Sequence, residues 1–214
     1  MIPKKLHYCW FGGNELPPLY KRCIESWSRI LPDFQIIRWD ESNTPIDTPF
    51  LKACQRRKEW AFLSDYARLR AISQHGGVYF DTDIEAVKHL EPLLHHPCFV
   101  GLESLGRVNT GVIGSISGHW FPQACMDLID SRHAKGKSYL IAPEVASLCV
   151  DKGESSSLAI LSSPHFYPYN PYDKTREVKD LMFSDITPET YAIHHWGKAW
   201  SQSIFTRSMK KLGW

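Results

Sequence analysis

Short β-prone apolar runs alternate with segments of helical periodicity along the first part of the chain. Residues 6–11 and 34–39 are β-prone, whereas residues 19–31 and 50–75 repeat apolar side chains near the helical period. The pair Gly76-Gly77 is predicted to stop the second helical segment. This alternation predicts an α/β fold with a Rossmann-like, mostly parallel sheet flanked by helices, and ligands bound beyond the carboxyl ends of its strands.

The second part of the chain has weaker patterns. Strands are predicted over residues 98–102, 108–116 and near 191–196, and helices over residues 121–134 and 143–150. Prolines and tyrosines between residues 164 and 171 indicate a surface loop. A chain of 214 residues fits a single domain, which we assign to residues 1–200, followed by a basic tail over residues 201–214.

Composition excludes several classes of function. A formal net charge of +2 provides no strong field for binding nucleic acid. The six cysteines stand singly, without metal-ligand spacing, and are predicted to be buried, reduced thiols. Without an apolar signal core or a run of membrane-spanning length, the sequence predicts a cytoplasmic protein.

Glycine-rich loops are one way in which a protein of this fold class binds phosphate groups. Gly12-Gly13 lacks the third glycine of the dinucleotide fingerprint, and the sequence has no GxxxxGK[ST] loop. We expect Gly12, Gly13, Gly76 and Gly77 to lie near the carboxyl ends of strands. We therefore expect a metal ion, and not a glycine-rich loop, to hold the phosphate groups of a ligand.

The strongest candidate site is the acidic pair Asp81 and Asp83, which follows Val78-Tyr79-Phe80. Along a strand these two carboxylates would share one face with Tyr79, while Thr82 would face away. Paired carboxylates suit Mg²⁺ or Mn²⁺ held together with substrate phosphates. On spacing alone, two solvated aspartates at the end of a strand are the alternative.

A second candidate lies one helix upstream. Asp65 and Arg68 are three residues apart, so on a helix they occupy neighbouring positions of one face. Their flanking residues are apolar, which favours a partly desolvated pair that serves a site. A surface ion pair is the alternative reading of this spacing.

Two adjacent histidines, His194 and His195, precede Trp196 near the C-terminus. Neutral imidazole suits Mn²⁺ better than Mg²⁺. On a strand the two side chains point in opposite directions, so at most one would face a metal ion. A purely structural role for both is the alternative.

Four segments stand out in chain order: IPKKLHYCWFGG from Ile2, FLSDYARL from Phe62, GGVYFDTD from Gly76 and HHW from His194. Together they resemble family 32 of the glycosyltransferases, which has a DXD-type sugar-binding region. That family includes yeast mannosyltransferases and bacterial capsule and lipopolysaccharide enzymes, and is related to the clostridial glucosylating toxins.

The resemblance implies a GT-A fold and a retaining hexosyltransferase that uses a nucleotide-sugar donor, UDP-sugar in preference to GDP-sugar. It implies a divalent cofactor, usually Mn²⁺ with Mg²⁺ as the alternative. It further implies a saccharide or lipid-linked oligosaccharide acceptor, in bacterial capsular or lipopolysaccharide synthesis.

Residue by residue, the resemblance assigns donor contacts to the N-terminal half of the chain. Trp10 is similar to the aromatic residue that stacks on the nucleotide base. Asp65 and Arg68 resemble the pair that binds donor-sugar hydroxyls and diphosphate, with Ser64 assisting beside them. Tyr79 resembles a further donor contact.

The metal-binding and catalytic assignments follow the same resemblance. Asp83 resembles the direct metal ligand, and Asp81 the acidic residue that touches ribose, sugar or ion. His194 is similar to the C-terminal histidine that ligates metal, with His195 as the alternative. Asn109 is similar to an asparagine near the reacting sugar, so Asp65, Arg68, Asp81 and Asn109 form the expected catalytic set.

Three features depart from the family pattern or lie at its edge. Ile141-Ala142-Pro143-Glu144 stands where many relatives have a Gly-Pro step that shapes the acceptor side. Trp200, a further expected donor contact, lacks the serine that often precedes it. The tail over residues 201–214 mixes cations with apolar residues, which is typical of peripheral membrane contact at the inner face of the cell membrane and also of a solvated helix end.

The stereochemical mechanism and the class of function each leave an alternative. Retention arises through a covalent carboxylate intermediate or through front-face attack. Glu103 and Asp185 are the candidate nucleophiles, but both are expected to be solvated loop carboxylates, which favours front-face attack. A metal-dependent phosphohydrolase and a non-catalytic carbohydrate-binding or effector module are the alternative functions.

Overall fold

The computed structural model describes residues 1–197, in which helices and strands alternate from the start. In chain order the elements are β1 (Lys5–Cys9), α1 (Pro18–Ile30), β2 (Gln35–Trp39), α2 (Pro49–Arg57), α3 (Trp60–His75), β3 (Gly77–Phe80), β4 (Ile84–Ala86), β5 (Cys98–Ser104), β6 (Arg107–Ser115), α4 (Trp120–Ala134), α5 (Ala142–Ser147), β7 (Leu158–Leu161) and β8 (Ala192–His194). Short 3-10 helices cover Glu91–Leu93, Ser155–Ser157, Ser163–His165 and Phe183–Asp185.

A six-stranded sheet in the order β2-β1-β3-β6-β5-β7 forms the centre of the domain. Strand β1 is parallel to β2 and β3, and β5 is parallel to β7. Only β6 among these strands runs in the opposite direction, antiparallel to β3 and β5. Strands β5 and β6 are consecutive and joined by a tight turn, which antiparallel pairing permits. The predicted mostly parallel sheet of a single domain is confirmed.

A second, two-stranded sheet pairs β4 with β8, antiparallel, with Ile84 opposite His194. Strand β4 begins directly after the acidic pair, and β8 comes from the C-terminal part of the chain. This pairing therefore brings His194 next to Asp83 from more than a hundred residues away in sequence.

Apolar side chains alternate between the two faces of the large sheet. Leu6 and Tyr8 of β1 and Val78 and Phe80 of β3 belong to one buried cluster, which also contains Trp27 of α1. Side chains of α2, α3, α4 and α5 pack in the other buried cluster, on the opposite face. The six cysteines are unpaired and buried, as predicted. Within residues 1–197, no helix has the length and apolarity needed to span a membrane.

The predicted single helical segment over residues 50–75 is two helices. Helix α2 ends at Arg57, Lys58 adopts a left-handed conformation with φ of 56°, and α3 begins at Trp60. The break carries neither glycine nor proline, so the sequence gives no ordinary signal for it. Helix α3 ends at His75, and Gly76 caps it as predicted, with φ of 59°.

The expected position of one glycine pair is wrong. Gly12 and Gly13 follow β1 at its carboxyl end, but Gly76 and Gly77 lie at the amino end of β3, opposite the acidic pair. Gly77 has φ of +111°, and a Cβ there would lie 2.7 Å from the carbonyl oxygen of Lys5. This glycine therefore allows β3 to enter the sheet close to β1.

The predicted surface loop near residues 164–171 is also partly wrong. Phe166 and Tyr167 are fully buried and pack in the cluster that contains Trp27. The Tyr167 hydroxyl accepts a hydrogen bond from the backbone N–H of Val112 in β6, at 3.1 Å. This segment therefore packs against β6 near the carboxyl end of the sheet. Strand β7, which precedes the segment, is not predicted from the sequence.

A buried histidine fixes the start of β3. The His7 ring accepts a hydrogen bond from Trp39 Nε1 at Nδ1 (3.1 Å), and its Nε2 donates to the carbonyl of Gly76 (2.9 Å). Burial lowers the pKa of His7 to about 4, although the Gly76 hydrogen bond opposes this effect. His7 is therefore neutral in the folded protein at neutral pH.

We expect the free energy of unfolding to fall as the pH decreases from about 6.5 to about 4. In this window the unfolded chain protonates His7 while the folded protein does not, which costs on the order of 3 kcal/mol. Urea denaturation at stepped pH measures the effect. In His7→Gln, which keeps an acceptor and a donor, the fall should be shallower; identical pH slopes for the two proteins would contradict the prediction.

Candidate functional site

The acidic pair lies in a turn at the carboxyl end of β3, not along the strand. Strand β3 ends at Phe80, and the backbone N–H of Ile84 donates to the carbonyl of Asp81 at 3.0 Å. The predicted convergence of Asp81 and Asp83 is therefore present, but it arises from this turn rather than from strand alternation. The Asp81 N–H donates to the carbonyl of Gly111 in β6, at 2.8 Å.

Asp81, Asp83 and His194 together offer a set of metal ligands. One ligand atom from each residue lies within 4.8 Å of the others. His194 Nε2 is 3.2 Å from Asp83 Oδ2, and the Gly197 N–H donates to the same oxygen at 2.7 Å. The other ring nitrogen of His194, Nδ1, is buried without a hydrogen-bond partner in the described part of the chain. Two carboxylates with an imidazole fit a divalent cation such as Mn²⁺.

The charges at this site depend strongly on one another. Burial raises the pKa of Asp83, but His194 and the Gly197 N–H outweigh it, so the pKa falls to about 2. Burial lowers the pKa of His194, but Asp83 and Asp81 outweigh it, so the pKa is raised. Asp83 is therefore an anion in the folded protein.

Arg68 of α3 is buried, with 5% exposure, between two carboxylates. Its Nη2 lies 2.7 Å from Asp65 Oδ1 and 2.9 Å from Asp81 Oδ1. The guanidinium also lies over the ring of Tyr79, 4.8 Å from its centroid, and the Tyr79 hydroxyl donates to Asp81 at 3.0 Å. The Asp65–Arg68 pair is thus a desolvated pair joined to the acidic turn, and not a surface ion pair.

Asp65 lies at the edge of this cluster. Burial raises the pKa of Asp65 to about 6, even though Arg68 opposes the shift. Its side chain borders two adjoining small cavities between α3, α4 and α5, together with Thr110, Ile129 and Val145 among others. The Asp65 carboxylate is 18% exposed next to Arg68, so it is a partly accessible acceptor of hydrogen bonds.

Asn109 of β6 is held by hydrogen bonds on both sides of its amide. Its Nδ2 donates to Glu103 Oε2 at 2.6 Å, and its Oδ1 accepts from the Gly111 N–H at 2.7 Å. Glu103 is only 7% exposed and is also paired with Arg107, so the expectation of a solvated carboxylate is wrong. Glu103 lies in β5 and is covered there by its contacts with Asn109 and Arg107, although the turn that follows it is exposed.

Asp185 was the other expected solvated carboxylate. It forms an ion pair with Arg176 and accepts a hydrogen bond from the Met182 N–H at 2.7 Å. Its side chain is mostly covered, so this expectation is wrong as well.

Gly111 also lies at this site, although it is not predicted from the sequence. A Cβ at this position would lie 2.7 Å from Asp81 Oδ2, and 3.3 Å from both Asn109 Oδ1 and the Tyr167 hydroxyl oxygen. The absence of a side chain therefore lets three polar groups converge at one point. The available signal was the glycine two residues after Asn109 in a β-prone run.

Two of the remaining predicted donor residues, Trp10 and Ser64, lie in the described part of the chain. Trp10 follows β1 and is half-buried, and its Nε1 donates to the carbonyl of Asn14 at 2.7 Å. Ser64 is half-buried on α3, next to Asp65 in sequence. Trp200 and the tail over residues 201–214 lie outside the described residues.

The two histidines separate in the structure. His194 faces the acidic turn, whereas His195 Nε2 contacts Glu85 Oε2 at 2.8 Å on the other side of the two-stranded sheet. This opposite orientation is the one expected for neighbours on a strand. It does not support His195 as a metal ligand.

A mostly parallel sheet with one antiparallel strand, and an aspartate turn at the carboxyl end of its central strand, define the GT-A class of fold. The solved structure of the PaToxG glycosyltransferase is similar, with a TM-score of 0.59 at 17% identity, over 71% of this chain and 68% of that one. The glycosyltransferase GlyE of Streptococcus pneumoniae TIGR4 is also similar, with a TM-score of 0.57 at 14% identity, over 92% of this chain and 56% of GlyE.

Residues 17–100 match the family described as the glycosyltransferase sugar-binding region containing DXD motif. Residues 17–100 are therefore similar to a DXD-type glycosyltransferase region, and the resemblance inferred from the motifs is confirmed for that segment. The matched segment includes Asp65, Arg68 and the acidic pair, with Asp81 and Asp83 as the two aspartates of the DXD motif.

Two curated relatives illustrate the range of similarity. Inositol phosphoceramide mannosyltransferase 3 of Schizosaccharomyces pombe is 31% identical over 125 residues, covering 56% of this chain and 35% of the relative. Human lactosylceramide 4-alpha-galactosyltransferase is 27% identical over 227 residues, covering 94% of this chain and 61% of the relative. The chain thus spans between about a third and two thirds of the length of these relatives.

We expect Arg68→Ala to lower the free energy of unfolding by about 3–5 kcal/mol, because it leaves Asp65 and Asp81 buried without their cation. Urea denaturation measures the change. Arg22→Ala is the matched control, since Arg22 forms an ion pair of the same spacing with Glu25 but is 83% exposed. It should cost less than about 1 kcal/mol. Equal losses in the two variants would contradict the buried pair.

Proposed function

We propose that this protein is a metal-dependent, retaining glycosyltransferase that moves a hexose from a nucleotide-sugar donor, UDP-sugar in preference to GDP-sugar, to a saccharide or lipid-linked acceptor. One observation carries the proposal. The buried guanidinium of Arg68 contacts Asp81, and Asp81 belongs to the ligand set that includes Asp83 and His194. A fixed cation and a divalent-cation site therefore meet at the carboxyl end of the central strand, where a diphosphate requires positive charge.

The donor site is assigned to residues around this meeting point. Asp81, Asp83 and His194 would hold Mn²⁺, with Mg²⁺ as the alternative. When bound, such an ion neutralises charge on the departing diphosphate. Arg68 adds a positive charge whose position is set before the donor binds, which favours the transition state. Asp65 accepts hydrogen bonds from hydroxyls of the donor sugar.

The other donor contacts are Trp10, Ser64 and Tyr79. The half-buried indole of Trp10 stacks on the nucleotide base. Tyr79 acts through its hydrogen bond to Asp81 and its ring beneath Arg68. Ser64 assists from the turn of α3 that carries Asp65.

Front-face attack is the mechanism that these residues support best. A covalent intermediate needs an available carboxylate, but Glu103 is engaged by Asn109 and Arg107, and Asp185 by Arg176. The acceptor hydroxyl would attack from the side of the leaving diphosphate, whose oxygen takes the proton. The Asn109 amide, fixed by Glu103 and Gly111, would face the reacting sugar.

The acceptor class is supported by the relatives. The two relatives named above carry names that specify ceramide lipids, inositol phosphoceramide and lactosylceramide. We infer a glycan acceptor on a lipid carrier, as in bacterial capsular or lipopolysaccharide synthesis. Six unpaired, buried cysteines support a cytoplasmic location, and we further propose peripheral contact at the inner membrane face.

We expect Asp83→Asn to reduce sugar transfer by about 100-fold or more, because it weakens the hold on the ion that stabilises transition-state charge. Transfer from a radiolabelled donor to a lipid-linked acceptor pool, with Mn²⁺ present, measures the effect. Asp47→Asn is the control, since the Asp47 side chain is 64% exposed and lies outside the site. Full transfer by Asp83→Asn would refute the assignment. Sugar release at an equal rate without acceptor would instead favour a phosphohydrolase.

We expect a UDP-sugar to raise the unfolding temperature of the protein only when Mn²⁺ is present, because ligand binding to the folded state stabilises it. A thermal-shift panel of UDP- and GDP-sugars, with Mn²⁺, with Mg²⁺ and with a chelator, measures the change. A shift that is equal with chelator would contradict metal-dependent donor binding. Absence of any shift across the panel would favour a non-catalytic module.

A further inference from the structure

Tyr20, near the start of α1, contacts two parts of the site that are far apart in sequence. Its hydroxyl donates to the carbonyl of Gly197 at 2.7 Å, and the Gly197 N–H donates to Asp83 Oδ2 at 2.7 Å. Tyr20 is 3% exposed, so its hydroxyl is held inside the protein. One residue, Gly197, therefore separates Tyr20 from the expected metal ligand.

The ring of Tyr20 packs directly against Gly197. A Cβ on Gly197 would lie 2.5 Å from Cε1 of the Tyr20 ring and 2.6 Å from its hydroxyl oxygen, which are distances that real Cβ atoms do not adopt. Gly197 is thus the residue type that this contact requires. The hydrogen bond and the ring contact together fix the segment that supports Asp83.

The same ring contacts the residue assigned to the nucleotide base. Trp10 and Tyr20 meet edge to face, with ring centroids 5.6 Å apart. Aromatic pairs in this geometry are attractive beyond the area that they bury. Tyr20 therefore touches both the base-stacking candidate and the segment that holds the metal ligand.

We propose that Tyr20 is a positioning residue, which fixes Asp83 through Gly197 and Trp10 through ring contact, so that metal and nucleotide binding are coupled through one side chain. The inference rests on the proposed function. Tyr20 would touch neither the reacting atoms nor the ion, so it acts on affinity rather than on the chemical step.

Other hydrogen bonds also hold the segment after β8, and they limit the effect that we expect when the Tyr20 hydroxyl is removed. The His195 N–H donates to the carbonyl of Asp83 at 2.9 Å, and Trp196 Nε1 donates to the carbonyl of Tyr169 at 2.9 Å. These bonds would keep the segment in place when the Tyr20 hydroxyl is removed. We therefore expect weakened binding and not its loss.

The test compares the full chain with Tyr20→Phe, which removes the hydroxyl and keeps the ring. Titration of Mn²⁺ followed by electron paramagnetic resonance should show a dissociation constant raised about tenfold, the scale of groups that orient metal ligands. In transfer assays the donor KM should rise by about the same factor, with kcat within about twofold, because uniform binding is lost.

Tyr66→Phe is the matched control, because the Tyr66 hydroxyl is also buried and donates to an aspartate, Asp130, at 2.7 Å. It should leave Mn²⁺ affinity unchanged. Gly197→Ala is a second variant, which tests the ring contact if Tyr20→Phe folds poorly. Its effect and that of Tyr20→Phe should be less than multiplicative when combined, since both disturb one contact.

Unchanged Mn²⁺ affinity in Tyr20→Phe and in Gly197→Ala, with normal binding by the unmodified chain, would overturn the role of Tyr20 and leave the proposed function intact. Absence of Mn²⁺ binding by the unmodified chain would overturn the proposed metal site, and the inference with it. A fall in kcat at constant donor KM would also overturn it, because that result indicates a direct role in the chemical step.

Discussion

The site depends on one buried guanidinium. Arg68 lies between Asp65 and Asp81, within hydrogen-bonding distance of both, and is almost fully removed from solvent. Burying an ion pair rarely increases stability over an apolar replacement, because desolvation offsets the attraction. A functional role explains a buried arginine at this position better than stability does. Here it fixes the orientation of Asp81, and thereby one side of the expected metal site.

Much of the fold could be predicted from the sequence, because strand and helix periods are local signals. The glycine stop at Gly76 and the mostly parallel sheet follow from them. The break at Lys58 could not be predicted, since its left-handed backbone lacks the usual glycine. The burial of Tyr167 could not be predicted from local sequence patterns either, because its hydrogen-bond partner Val112 is 55 residues away in sequence.

The site was predictable in its residue types more than in its geometry. The acidic pair and the Asp65–Arg68 pair could be proposed from spacing. Strand alternation predicts that at most one of His194 and His195 faces the metal, and the family resemblance favours His194. The burial of Glu103 could not be predicted, because it depends on the β5–β6 hairpin and on Asn109. Gly111 and Gly197 matter for the space they leave next to Asp81 and Tyr20, and sequence patterns carry no information on such space.

The charge balance of the cluster supports the proposed divalent ion. Three carboxylates, those of Asp65, Asp81 and Asp83, meet one guanidinium and one imidazole. With all three ionised, the cluster without an added cation is therefore negative. A diphosphate brought against it would be repelled. Arg68 supplies one positive charge, but Asp65 and Asp81 already share it, so Arg68 alone does not offset the charge of a diphosphate. The proposed ion would lie among Asp81, Asp83 and His194, whose candidate ligand atoms all lie within 4.8 Å of one another. Under the proposed function, the fold without the ion would therefore bind a nucleotide sugar weakly. The two-stranded sheet brings His194 next to Asp83 and so completes the proposed site.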